Sequence, residues 1–425
     1  RQVAQAIEGE WWQQGGNGTR FATSYNRYHT LRLYARGEQS VQKYKDELAI
    51  NGDLSYLNLD WKPVPVLSKF VDIVSNGMNN KLYEIKAFAQ DPTALKKKTD
   101  YATAIMQDMA AKPYLQNLQK EFGINEFQTD PEKLPDTPEE LDIHMQLSYK
   151  DSIEIAEEEV INNTLKRNRF DNIKKRFNYD LVTLGIGAVK TAFNPSNGVN
   201  LKYVDPVNLI YSYTEDPHFE DIYYVGEVKQ LTIPEIAKQF PYLSEEQLKK
   251  IEQTKGYNKD RVSMYGYNSY DPNTVSVLFF EYKTYNTQVF KIKQTDNGLE
   301  KALEKPDTFD PPPNDNFERV ARSIEVLYCG AKVLGLGGNL LKWELSENMT
   351  RPYGDTTKVN MNYVISAPRL YQGRIESVVS KTIGFADMIQ LTHLKLQQVM
   401  SRLVPDGVYL DADGLAEVDL GNGTN

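Results

Sequence analysis

Histidines, a single cysteine, two glycine clusters and paired carboxylates are the residues through which this chain could do chemistry. His29, His144, His218 and His393 have no Ser, Cys or acidic neighbour at a spacing that suggests a triad. They are also too scattered for a zinc site. Cys329 sits between apolar strand-like residues and reads as a small buried hydrophobe. A lone cysteine excludes an internal disulfide framework. Gly185-Ile-Gly187 lacks the third glycine of a dinucleotide loop, and Gly335-Leu-Gly-Gly338 has no Lys-Ser/Thr behind it. Both are read as turns or places of close backbone approach. The run Glu157-Glu158-Glu159 is read as a solvated helix face, and Asp205-Pro206, Asp216-Pro217 and Asp271-Pro272 as turn formers. No catalytic, cofactor or metal site is expected.

The 425 residues are too many for one compact core, so two or three domains are expected. With 49 basic and 58 acidic side chains the formal charge is −9, which argues against generic electrostatic attraction to nucleic acid. DNA that merely passes by is still compatible, because a repelled polyanion slides. No apolar run reaches the ~18 residues that cross a bilayer, and no membrane partner is expected. The chain is expected to be part of a longer polypeptide.

The element that organises the rest is the stretch from Ser366 to Leu403. Ile375, Val378, Val379, Ile383, Ala386, Ile389, Leu394, Leu396, Val399, Met400 and Leu403 recur at helical spacing between Pro368 and Pro405, with Gly384 as a bend point. It carries Arg369, Arg374, Lys381, Lys395 and Arg402 against Glu376 and Asp387. Upstream, Trp11–Arg20 reads as an exposed arm or loop and Arg27 to Leu48 as one charged helix. A turn is expected at Asn51-Gly52-Asp53. Trp61, Pro63 and Pro65 launch a helix with Leu67, Phe70, Val71, Val74 and Met78 as its apolar face. Pro92 to Phe122 is a helix, residues 131–138 a linker, and Lys150 to Leu184 a second long helix. Phe170, Ile173, Phe177, Leu181 and Leu184 form its buried stripe.

The period then changes to two. Ala188 to Phe193 and Val199 to Asp205 read as a hairpin, followed by strands at Leu209 to Tyr213 and Asp221 to Lys229. Thr232 and Glu235 form a capping box, and Ser244 with Gln247 caps another short helix. A tyrosine-rich loop spans Gly256 to Tyr270. Val275 to Tyr282 and Gln288 to Lys293 are expected as one hairpin. Ile324 to Cys329 and Lys332 to Leu336 are expected as another, turning at Gly330-Ala331. The acidic, proline-rich insert from Pro306 to Asp315 between them reads as an exposed loop.

Asp205-Pro206, Asp216-Pro217, Asp221, the Thr232 to Ile236 helix start and Tyr371-Gln-Gly-Arg374 before the long helix occur in an order that resembles portal proteins of tailed double-stranded DNA phages. The resemblance is to podovirus-type portals, and most to those of crAss-like phages. It covers roughly residues 60–420, with an extra Gln372 in the second signature. It implies an α+β fold with a helical wing (1–230), first stem-leading helices (231–258) and an inserted β-rich clip (259–365). A long second stem helix (366–403) and the start of a C-terminal wing segment (404–425) would follow.

The implied function is structural, without bond chemistry: a ring of twelve copies at the unique vertex of a phage capsid. Double-stranded DNA would pass through it during packaging and ejection. Implied partners are the terminase large subunit, head-completion or connector and tail proteins, and the major capsid protein. The place is the virion, with assembly in the host bacterial cytoplasm. Arg369, Arg374, Lys381, Lys395 and Arg402 become channel or inter-subunit candidates. Asp307, Phe309, Asp310 and Asp315 become docking-loop candidates of the clip. The competing readings are another head-to-tail connector or virion protein, and a metal-dependent nucleic-acid-processing enzyme built from scattered carboxylates.

Overall fold

The computed structural model describes residues 2–11, 20–49, 59–80, 84–89, 91–123, 134–147, 149–196, 198–255, 273–294, 300–306, 308–310, 317–335 and 340–402. Residues 12–19 of the expected arm, the turn at Asn51-Gly52-Asp53 and the start of the linker lie outside them. So do the loop from Gly256 to Tyr270, the Asp271-Pro272 pair, Gly337, Gly338, Leu403 and the segment 404–425. The ends of that arm are helical instead, Trp11 buried at the close of the helix Gln2–Trp11 and Arg20 opening the helix Arg20–Arg36. The fold is α+β. It divides into two compact units, one of residues 80–172 and one of residues 1–79 with 173–425.

The larger unit begins with α1 (Gln2–Trp11) and α2 (Arg20–Arg36). The single helix expected from Arg27 to Leu48 is in fact two. Gly37 stops α2 at φ +72°, and a Cβ there would lie 2.5 Å from Cβ of Pro65. A left-handed backbone packed this tightly against another chain segment suits only glycine. The chain then restarts as α3 (Gln42–Leu48), and α4 (Val66–Met78) follows the prolines as expected.

The smaller unit contains α5 (Pro92–Phe122), α6 (Pro138–Leu147) and α7 (Ser152–Arg167) around a thin core of Ile105, Leu134 and Leu141. Glu157 and Glu159 are exposed as expected, but Glu158, with the earlier Glu154, is not simply solvated. Glu154 and Glu158 accept from the backbone N–H groups of Ala89 and Ala87 at 2.9 and 3.0 Å, tying down an extended strap. Lys150 pairs with Glu158, and this bond and the Ala87 donor hold that carboxyl below its usual range. The long helix expected from Lys150 to Leu184 breaks at Arg169, where φ is +51°. Its second half is α8 (Phe170–Thr183). Phe170, Ile173, Phe177 and Leu181 are only half-buried there, while Asn178, Asp180 and Val182 are buried, so the inward face is partly polar.

The remainder of the larger unit is mainly sheet. The strands β1 (Gly187–Asn194) and β2 (Gly198–Val204) form the expected hairpin. Next come a 3-10 turn (Pro206–Asn208) capped by Asp205, then β3 (Leu209–Tyr211) and β4 (Tyr224–Thr232). The helices α9 (Ile233–Gln239) and α10 (Glu245–Glu252) carry both predicted capping boxes. The strands β5 (Thr274–Gln294), β6 (Glu300–Lys305), β7 (Phe317–Val333) and β8 (Leu340–Leu345) complete a six-stranded antiparallel sheet. Its order is β3-β4-β5-β7-β8, with β6 pairing the later part of β5, from Val289 to Gln294.

The two hairpins expected in this region do not form. A single ribbon runs from the Val277–Val333 pair to the Lys293–Phe317 pair. The glycine read as a turn, Gly330, lies inside β7 because the Phe280 ring occupies its Cβ position, 2.5 Å from Cζ. One face of the sheet is covered by α1 through Ile7, Leu278 and Phe280, the other by α9 and α10 through Ile236, Ile251, Val275 and Val277.

After β8 come β9 (Tyr363–Ser366), which joins β1, and the short pair β10 (Leu370–Tyr371) and β11 (Arg374–Ile375). The last element is α11 (Val378–Arg402). The organising helix therefore starts later than expected, because residues 370–375 turn back on themselves. It runs unbroken through Gly384. The largest core joins α2, α4, the β1–β2–β9 sheet and α11. Among the described residues no helix is long and apolar enough to cross a membrane.

Candidate assembly surface

Ser377 starts α11 by accepting from the Ser380 N–H at 2.9 Å, while its own N–H donates to Ser380 Oγ at 2.9 Å. Such a reciprocal cap satisfies end groups that the helix itself cannot pair. Inward, Val379, Ala386 and Leu394 are buried, Leu394 completely at 0% exposure, and the helix packs on α2 and α4. Three polar side chains on this same face have partners. Asp387 accepts from the hydroxyls of Tyr34 and Tyr44 at 2.8 and 2.7 Å and pairs with Lys43. Gln390 accepts from the Val64 N–H at 2.8 Å, and Gln397 from the Asp60 N–H at 3.0 Å. Burial and the bond to Asp387 push the Tyr44 phenol up to about 12, and raise Tyr34 as well.

Outward, Phe385, Met388, Ile389, Leu396, Val399 and Met400 are exposed, Phe385 by 67% and Met400 by 62%. At about 100° per residue these six fall in a stripe roughly 120° wide, opposite the buried one. An exposed apolar residue alone means little, but a row of six is the kind of surface that partners cover. Covering them contributes about 1 kcal/mol each, since all are partly shielded already. The helix α4 repeats the pattern, burying Leu67, Val71 and Ser75 while Phe70, Ile73, Val74 and Met78 are exposed. Sequence periodicity places Phe70, Val74 and Met78 on one apolar face with Leu67 and Val71, and Ile389 on the same apolar stripe as Leu394.

The basic candidates separate. Lys381 and Lys395 are exposed and border the outward stripe, Lys381 in a 3.0 Å ion pair with Glu376. Arg402 is the last residue of α11. Arg369 and Arg374 are not on the helix; they belong to the β10–β11 turn-back. Of the docking-loop candidates, Asp307 and Asp315 lie outside the described residues. Asp310 is exposed, and Phe309 is half-buried with the Lys291 ammonium 5.8 Å from its ring centre. Cys329 is half-buried rather than a core residue. Burial raises its thiol, with Glu344 and Glu281 adding to the effect.

Two part-buried ion networks lie within the larger unit. Arg32 on α2 donates to Asp205 at 2.8 and 3.0 Å and to Asp180 at 3.0 Å, and Tyr203 also donates to Asp180. Burial opposes the guanidinium charge, yet Asp205 and Asp180 hold Arg32 above its ordinary value. Burial pushes the Asp180 carboxyl up, with Arg32 pulling the other way. The second network joins the two larger sheets. Lys190 on β1 pairs with Glu281 on β5 at 3.4 Å, and Tyr363 on β9 donates to Glu227 on β4 at 3.2 Å. Burial, then the fields of Glu227 and Glu281, raise Tyr363. Breaking either network would strand a charge in a low-dielectric interior.

Both glycines of Gly185-Ile-Gly187 answer the expectation of close approach. A Cβ on Gly185 would lie 2.5 Å from the Glu376 carbonyl oxygen, and one on Gly187 would meet the Phe177 ring. Among the described residues no group of three or more His, Cys, Asp or Glu side chains is placed to hold a metal ion. No protein-family model matches the chain, and no curated protein matches it either.

Proposed function

We propose that this chain is a ring-forming structural subunit, the portal at one vertex of a phage capsid, through which double-stranded DNA enters and leaves. The supporting observation is the helix α11, apolar on two opposite sides, one sealed by α2 and α4 and the other exposed. Docking the exposed stripe of α4 in one copy against that of α11 in the next is a head-to-tail contact, and such contacts close into rings when the rotation allows. The ordered resemblance to portals supplies the biological setting: terminase large subunit during packaging, then connector and tail proteins, with the major capsid protein around the wing. Subunit number is carried by that resemblance alone.

Mass measurement of the purified chain in solution, together with images of the particle viewed end-on, tests the reading. The expected result is a closed annulus of many copies with a bore wide enough for duplex DNA. A folded chain that stays monomeric at every concentration, or stops at a symmetric dimer, rejects it.

A further inference from the structure

Residues 84–89, the strap between α4 and α5, run extended and belong to no sheet. Burial along them alternates: Ile85, Ala87 and Ala89 are half-buried, while Glu84, Lys86 and Phe88 are exposed. That is the period of an extended chain lying on a surface. The surface is α7, which meets the strap through two carboxylates. Glu158 accepts from the Ala87 N–H at 3.0 Å and Glu154 from the Ala89 N–H at 2.9 Å. Four residues of helix advance about 6 Å along the axis, and two residues of extended chain advance about 6.6 Å. The two spacings therefore agree closely. Among the described residues the backbone of 84–89 makes no other hydrogen bond.

Each carboxylate uses both of its oxygens. Glu154 also accepts from the Asp151 N–H at 3.1 Å, and Glu158 from Lys150 Nζ at 2.5 Å. Hydrogen bonds to an ionised acceptor are roughly twice as strong as neutral ones. A proton removes that advantage and turns one accepting oxygen into a donor. The strap brings Lys86, itself paired with Glu84, into the field of Glu158. On α5, Lys97 pairs with Asp151 at 3.5 Å. Ahead of α7 stands Tyr149, whose phenol is raised by burial and then by Asp151 and Glu154.

We infer that this contact is a proton-operated latch: ionised Glu154 and Glu158 hold the strap on α7, and protonation releases it, freeing the connection between α4 and α5. The sense of the switch follows from Glu158. Its bond to Lys150, then the Ala87 N–H, hold it below the ordinary value of 4.5. The latch is therefore complete above pH 4.5 and is lost as pH falls through the lowered value. One subunit carries both helix and strap, so ring closure is not required.

The test is hydrogen exchange of the full chain, read by mass spectrometry on peptides spanning 84–89 and corrected for the intrinsic effect of pH. At pH 7 the strap should be protected. Below pH 4.5 that protection should fall about tenfold or more, while peptides from β5 stay protected. Glu154→Gln/Glu158→Gln should lose the protection already at pH 7 and show no further dependence on pH. Trypsin at pH 8 should cut after Lys86 about tenfold faster in this variant than in wild type. Lys150→Met removes a partner of Glu158 alone, so its release midpoint should move up in pH. A strap that stays protected in the glutamine variant overturns the inference, as does a Lys150→Met midpoint unmoved from wild type. Strap and β5 losing protection at one pH overturns it too, because acid would then be unfolding the whole unit. If the glutamine variant does not fold, the wild-type curve and Lys150→Met decide. Rings with an ungated strap would sink this inference alone, and monomers with a gated strap the portal reading alone.

Discussion

On its inner side α11 sets Val379, Ala386 and Leu394 into the main core; on its outer side it sets Phe385, Ile389, Leu396 and Met400 against solvent. By composition the two sides are alike. They differ in polar chemistry. Asp387, Gln390 and Gln397 lie on the inner side, each accepting from a phenol or a backbone N–H in α2, α3 or the segment before α4. Rotating the helix would strand those acceptors. On the outer side Thr392 turns its hydroxyl back to the Met388 carbonyl and makes no such demand. A fold needs the directional contacts, because they fix one rotation of the helix. An assembly surface works through apolar area.

The largest effect should come from a charge on the inner side. Leu394→Asp places an unpaired carboxylate at a site with no exposure, a cost of about 4 kcal/mol or more, enough to unfold many domains. Circular dichroism should lose its cooperative melt. Ile389→Asp, five residues earlier but outward, should keep the wild-type melt within about 0.5 kcal/mol and lose only the large assembly in mass measurement. A folded Leu394→Asp chain, or an Ile389→Asp chain that unfolds, would erase the distinction between the faces. Phe385→Asp serves as a second outward probe.

That distinction was invisible in the amino-acid pattern. Ile389 and Leu394 both fit a helical apolar repeat, and periodicity counts apolar residues without saying which side has a neighbour. Where a local rule decides, the pattern was legible: the prolines before α4, the two capping boxes, the Asp205 turn and the β1–β2 hairpin all lie where expected. Where a tertiary contact decides, it was not. Gly37 ends α2 because Pro65 leaves no room beside it, whereas Gly330 continues a strand because Phe280 fills the space. Arg169 breaks the helical pattern after α7 at positive φ without a glycine or proline to announce it. Glu158 of α7 reads as solvated like its neighbours Glu157 and Glu159 because the strap it holds is distant in sequence. In the assembly surface, α11 was recognisable as the central helix, but its double-sided character and the matching stripe on α4 needed coordinates.

A smaller effect isolates the polar pins. Gln390→Ala leaves the Val64 N–H without its acceptor at a site where Gln390 is buried, which should cost about 1–3 kcal/mol. Urea unfolding reads this directly. Because Gln390 faces inward, the assembly that forms from the folded fraction should have the wild-type mass. A change in mass with unchanged unfolding would show that the pins, and not the apolar stripe, face the partner.

The smallest effect is a dependence on alkaline pH that only the inner side should show. Burial, then the bonds to Asp387, keep Tyr34 and Tyr44 protonated beyond the ordinary phenol value of 10.0, Tyr44 up to about 12. Between those values the folded chain holds protons that the unfolded chain has released. Stability from this source is therefore complete below pH 10 and is lost as pH rises through about 12. Asp387→Asn removes the negative acceptor and narrows the gap between folded and unfolded phenols. Its stability should then fall less steeply with pH than that of wild type, so urea midpoints of the two converge across this range. Parallel curves would mean that Asp387 does not set these phenols. Titrating the cluster should leave the mass of the assembly constant until the fold itself gives way, because Tyr34, Tyr44 and Asp387 all lie away from the outer stripe.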